Sequence, residues 1–182
     1  MSVIGRPQEN EFAPHAKAYV GHVYSDEIIQ VLADQIGKTV ALVRPLGEER
    51  SLLAYAPGKW TVKQTIGHMS DTERILSCHT LRIARGDTTP VPGFEQDEYV
   101  RNAGSNERSL EELLQEFVAV RESTLALVRG LPQESWRRAG TVSGYPVTVR
   151  GLIFTIAGHE LHHFRTLEDR YLRPAATNGE RG

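Results

Sequence analysis

"TVKQTIGHMSDTERILSCHTLRIARG", residues 61–86, opens on a capping box and closes on a glycine. Thr61 supplies a side-chain oxygen to orphan backbone N–H groups, and Gln64 reaches back to the cap. Ile66, Met69, Ile75, Leu76 and Ile83 then recur at helical spacing. Gly86 stops the run. A long amphipathic helix needs neighbours to cover its apolar face.

Three further stretches supply them. Downstream, Ser109 and Glu112 form a second capping box, followed by Leu113, Leu114, Phe117, Val120, Leu125 and Val128, and Gly130 ends that helix. Another helix starts near Thr148 and runs to Leu172, before Pro174. Upstream, Ile28, Ile29, Leu32, Ile36, Val40 and Val43 follow Ser25, the expected N-cap, and Pro45 with Gly47 ends the run. The expected fold is all-α, a four-helix bundle. Residues 87–108, between the second and third helices, are too many for a simple turn, and they predict a long crossover along the bundle. "GTVSGYPVTV" reads as a short hairpin or an extended connection. The 182 residues read as one domain, 1–182. Residues 1–24 form an N-terminal extension with a short helix around His15–Tyr19, and residues 174–182 a flexible tail.

Composition narrows the function. The net charge is −2 with no basic stripe, which argues against nucleic-acid and membrane partners. The single cysteine, Cys78, suits a reducing compartment. No apolar run reaches the length of a membrane span, and the N-terminus lacks a signal h-region. These features predict a soluble cytoplasmic protein.

Within the fourth helix, His159-Glu160-Leu161-His162-His163 spells the H-E-x-x-H of zinc proteases. Such a protease needs a third ligand downstream. Only residues 164–182 follow, and in the extended form of that signature the glycine and final histidine positions hold Thr166 and Asp169. The third ligand is therefore expected upstream. His159 and His163 share one helical face, roughly 6 Å apart. His68 is the matching candidate, because Gly67-His68 and Gly158-His159 repeat a dipeptide below similar Thr-Val caps. His68 lies seven residues after Thr61 and His159 eleven after Thr148, a difference of one helical turn. The two glycines are expected to admit close backbone approach.

Other residues take subordinate readings. His79 is about 16 Å along the helix from His68 and reads as an edge or core histidine. His162, at the rim of the ligand face, reads as a supporting or substrate-facing group. Glu160 either orients a ligand, acts as a base, or is a solvated carboxylate; Asp71 is a supporting group or simply solvated. Glu73 and Arg74 read as surface pairs. Trp60 and Trp136 read as packing anchors. Phe94 and Tyr99, in "VPGFEQDEY", read as walls of a substrate lid, with Glu95, Asp97 and Glu98 as possible contacts; an acidic surface loop is the alternative.

"APGKWTVKQTIGHMSDTER", "RGDTTPVPGFEQDEYV" and "IAGHELHHFRTLEDRYL" resemble, in that order, segments of the DinB-like superfamily. That superfamily includes YfiT-type metal-dependent hydrolases and bacillithiol and mycothiol S-transferases. The resemblance implies a four-helix bundle with a long crossover, a metal held by His68, His159 and His163, and a homodimer. Three imidazoles leave coordination positions open. Two chemistries follow for a small-molecule substrate: hydrolysis by metal-bound hydroxide, or activation of a low-molecular-weight thiol for transfer to an electrophile. One divalent ion is expected, zinc or nickel first, with iron and manganese compatible. The alternative is a non-catalytic bundle that a metal stabilises or that senses a metal.

Overall fold

A computed structural model describes residues 4–172. Its helices are α1 (Lys17–Gly21), α2 (Ile28–Val43), α3 (Gly47–Ser51), α4 (Val62–Ala84), α5 (Gln96–Asn102), α6 (Leu110–Arg129) and α7 (Val149–Thr166); strands β1 (Ala139–Val142) and β2 (Tyr145–Thr148) form a hairpin. The expected tail from Pro174 lies outside the described residues. None of the described helices is long and apolar enough to cross a membrane.

The caps explain where the long helices begin. Thr61 and Ser109 each complete the expected capping box, with Gln64 and Glu112 as partners. Thr148 Oγ1 accepts from the Gly151 N–H at 3.1 Å. Ser25 does not cap α2. Its hydroxyl accepts from Glu27 N–H at 3.1 Å, a local turn that competes with helix, and α2 starts only at Ile28 with Glu27 as N-cap. The hairpin turns on Ser143 (φ 53) and Gly144 (φ 82), the paired positive angles of a two-residue turn that matches strand twist.

α2, α4, α6 and α7 form the four-helix bundle. α4 packs on α6 and α7, and α2 packs on the same two, so α4 and α2 lie diagonally opposite. The side-chain ties give direction. Lys63 donates to Arg108 O at 2.6 Å near one end, and Glu73 meets Arg121 further along both chains. α4 and α6 therefore run parallel, and the segment joining them has to return along the bundle. It does so through α5 and a bridge of Val91 to Val142 at the hairpin edge.

Two apolar clusters fill the interior. One holds Ile28, Leu32, Ile83, Leu125, Ile153 and Phe154; the other holds Val43, Val62, Ile66, Met69, Leu114 and Phe117. Each fully buried large side chain contributes about 1.5–3 kcal/mol. Between the clusters, every long helix places a polar residue: Gln35 and Thr39 on α2, Glu73 on α4, Arg121 on α6, Glu160 on α7. Arg121 is 0% exposed. It donates to both Glu73 oxygens at 2.8 and 2.7 Å and to Leu32 O at 2.8 Å. Its Nη2 also lies 2.6 Å from Glu160 Oε2, an ion pair outside good hydrogen-bond direction. Glu73 is thus not a surface residue. Only Arg74 keeps the surface pairing expected for both, reaching Glu116 at 2.5 Å.

Residues 4–24 are more than an extension. Phe12, Ala16, Val20 and Val23 are buried in the first cluster, and α1 packs on α7. Glu11 binds Arg150 Nε at 2.6 Å and accepts from Thr148 Oγ1 at 2.8 Å, tying this segment to the start of α7. The Arg150 guanidinium, with the Thr148 hydroxyl, holds the Glu11 carboxyl down at about 2.

Candidate metal centre

Beside the polar belt, three imidazoles from two helices meet. His68 and His159 are buried and His163 is partly buried. Nε2 of His159 is 3.0 Å from Nε2 of His68 and 3.1 Å from Nε2 of His163. Ring centroids are 5.0, 5.0 and 4.5 Å apart, a nearly equilateral triangle. Burial, the largest cause in each case, pushes His68 down to about 4, His163 to about 3 and His159 well below the ordinary imidazole range. All three are neutral at pH 7, so their lone pairs are free to donate.

The donor set fits a metal. Imidazole nitrogens at ~2.0–2.1 Å from one ion stand roughly 2.8–3.0 Å apart in octahedral geometry and roughly 3.3–3.4 Å apart in tetrahedral geometry, and the observed spacings lie between the two. Hydrogen bonding accounts for the cluster less well, since His159 Nε2 carries either one proton or one lone pair and neither serves both neighbours well at once.

The surroundings differ from expectation in several places. Trp60 is not a simple packing anchor. Its ring lies 4.6 Å from that of His68 and stacks 6.3 Å from that of His163. Trp136 is buried in the first cluster, as a packing anchor would be. The Tyr19 ring makes edge-to-face contacts with His159 and His162, with centroids 5.3 Å apart in each case. Thr72 Oγ1 lies 3.5 Å from His68 Nδ1, at the limit of a hydrogen bond. His162 sits at the rim, stacked on His22 at 6.0 Å. Asp71 is half-buried and pairs with Arg74 at 3.5 Å; burial raises its carboxyl. Glu160 is neither solvated nor turned to the imidazoles. It accepts from Thr39 Oγ1 at 2.6 Å and pairs with Arg121.

A cavity of about 520 Å³ opens beside His163. Trp60, Tyr55 and Tyr171 wall it, with Lys59, Arg170 and Asp97 carrying charge. Tyr171 donates to Trp60 O at 2.5 Å and meets Tyr55 edge-on at 5.2 Å. Phe94 and Tyr99 do not line this cavity. They pack on each other at 5.0 Å; Phe94 faces a different cavity and Tyr99 is 46% exposed. α5 starts at Gln96, and its first residues, Gln96 and Asp97, are the ones that reach the histidine cavity. Asp97 is the residue whose charge raises His68 against its burial.

The paired glycines admit close approach, but not of α4 to α7. A Cβ on Gly158 would stand 2.0 Å from Tyr19 O, and one on Gly67 2.4 Å from Ser105 Oγ. The first lets α1 press on α7 behind His159; the second lets the crossover press on α4 beside His68.

Residues 32–167 match the family model of the DinB superfamily. A curated protein of Oceanobacillus iheyensis, provisionally named a metal-dependent hydrolase, is 24% identical over 138 residues, covering 74% of this chain and 76% of that protein. The solved structure of YfiT from Bacillus subtilis, described as a probable metal-dependent hydrolase with an unusual four-helix bundle topology, is similar with a TM-score of 0.73. It is 19% identical, and the match covers 91% of this chain and 93% of that one. At that identity the likeness speaks for the fold.

Proposed function

The chain belongs to the DinB superfamily, and from that premise we propose that it is a metal-dependent enzyme that hydrolyses a small molecule at His68, His159 and His163. The observation that carries this reading is the Nε2 convergence at 3.0 and 3.1 Å beside an open cavity. A divalent cation there supplies Lewis-acid activation of a water or a thiol. An all-imidazole set suits zinc or nickel.

The chain's own groups have distinct tasks. Trp60 packs against His68 and lies parallel to His163, which helps hold both rings in place. Thr72 steadies the His68 ring through Nδ1. Asp97, on the cavity wall, is the carboxylate placed to take a proton. Lys59 and Arg170 on the same wall suit a substrate bearing a negative group. His162 is a second proton carrier at the rim, and burial keeps it on the neutral side of its ordinary range.

The test begins with metal analysis of untagged protein. Activated esters and amides are then assayed alone, and electrophiles are assayed with low-molecular-weight thiols, each with and without chelator. Hydrolysis that chelation abolishes and zinc or nickel restores supports the reading. Turnover only with a thiol shifts it to S-transfer. Bound metal with no turnover and a large drop in Tm on chelation marks a structural or sensing centre. Wild-type protein that takes up no divalent metal refutes it.

A further inference from the structure

A second cavity, of about 490 Å³, lies on the other side of the crossover from the histidine triangle. Phe94 and Glu95 wall this one, and the next two residues, Gln96 and Asp97, wall the other. Its size falls in the usual range for small-molecule sites. Its floor and sides are apolar, including Leu76, Val147 and Leu152. Into this lining α4 sets His79, which is 9% exposed and whose Nδ1 has no hydrogen-bond partner among the described residues. A buried ring nitrogen without a partner carries a desolvation cost that a ligand hydroxyl would remove.

We propose that this cavity is a binding site for an uncharged, largely apolar molecule that bears a hydroxyl, such as a simple phenol, anchored by the hydrogen bond that His79 Nδ1 lacks. The lining sets the class. Among the described residues no lysine or arginine lines the cavity, and the charged residue that does is Glu95, exposed at its edge, which disfavours an anion. Arg82 on α4 acts on His79 from a distance, but it pairs with Asp87 at 2.7 Å. Burial, with Arg82 second, lowers His79 and keeps the imidazole neutral. His15 also lines the cavity, is exposed, and meets the Tyr145 ring edge-to-face with centroids 6.2 Å apart. The remaining polar groups are Ser143 and Thr155; the Thr155 hydroxyl donates to Gly151 O at 2.8 Å and keeps its oxygen free to accept. An apolar body with one O–H donor therefore matches both the apolar lining and two acceptors, Thr155 Oγ1 and, in the Nε2–H tautomer, His79 Nδ1.

The experiment titrates ¹⁵N-labelled protein with 4-ethylphenol and, separately, with 4-ethylanisole, which has the same body without the O–H. Saturable binding of the phenol is expected, with shifts at Leu152, Thr155 and Ser143. The ether should bind at least about fivefold more weakly, the effect of one net hydrogen bond. In His79→Leu, which keeps the apolar volume, that ratio should fall to about one. The ratio is taken within one variant, so partial unfolding cancels. His68→Ala should bind the phenol as wild type does, which separates this site from the histidine triangle and from the function proposed there. The inference is overturned by no saturable binding of 4-ethylphenol, by a preference that survives in His79→Leu, or by binding that vanishes in His68→Ala or maps to Tyr55 and Tyr171.

Discussion

His68 Nε2 and His159 Nε2 stand 3.0 Å apart although 91 residues separate them in sequence. α4 and α7 pack side by side with their caps at opposite ends, so a histidine in the second turn of one meets a histidine past the midpoint of the other.

Removing one vertex of this triangle should remove the metal. His68→Ala is expected to weaken zinc binding by more than about 100-fold, above the 10–100-fold typical of losing a group that only supports a ligand. Competition with a chelating dye measures it, alongside a helical circular dichroism spectrum to establish that the bundle persists. Wild-type affinity in this variant would remove His68 from the centre.

Acid should act on the same residues. His68 and His163 are held to about 4 and about 3, below an unfolded value of 6.5. Between those limits the unfolded chain binds more protons than the folded one, so stability is lost as pH falls. The Tm of metal-free protein should be flat with respect to these groups above about pH 6.5 and decline from there towards pH 4. In His68→Ala the decline should be shallower. A Tm with equal pH dependence in both proteins contradicts the assignment.

The belt between the two apolar clusters sets up a different test. Arg121→Met leaves Glu73 and Glu160 buried without their cation and should cost about 3–5 kcal/mol in urea unfolding. Replacing the set, with Arg121→Met, Glu73→Leu and Glu160→Leu together, should recover more than half of that loss. If the single variant is as stable as wild type, the guanidinium is not holding the belt together.

Much of this architecture is legible in the sequence because its signals are local. Two capping boxes and the i,i+4 histidine pair each lie within five residues, and helix geometry alone converts them into structure. The belt is not local. Glu73 sits beside Arg74 and reads as half of a surface pair, while its actual partner, Arg121, is 48 residues away. Trp60 likewise reads as punctuation before a cap; the Tyr171 hydroxyl that fastens its carbonyl is 111 residues on. Phe94 and Tyr99 are natural lid candidates by composition, but where α5 starts decides which residues of that loop face which cavity. The glycines signalled close approach correctly, yet sequence could not say that α1 and the crossover were the elements approaching.

One of those glycines, set against Gly37 on α2, makes a paired prediction. In Gly158→Ala the new Cβ meets Tyr19 O at 2.0 Å, a backbone atom that cannot swing aside. The loss should be about 1–3 kcal/mol, the usual cost of overpacking. In Gly37→Ala, with nothing within 4 Å of the new atom, α2 should gain about 0.5–1 kcal/mol from helix propensity. Thermal unfolding of the two variants should move in opposite directions. Limited proteolysis should cut the first sooner, ahead of α1. Equal shifts of one sign would show that the Tyr19 contact is not tight.

The distance in sequence between the first imidazole and its partners has a temporal side. On a ribosome, α4 emerges long before α7 exists, and until α7 has left the exit tunnel His68 has no neighbour with which to cage an ion. Loading at this site would thereby wait until α7 has emerged, and a nascent chain stalled before β1 would present one of the three converging imidazoles to the metal pool of its surroundings.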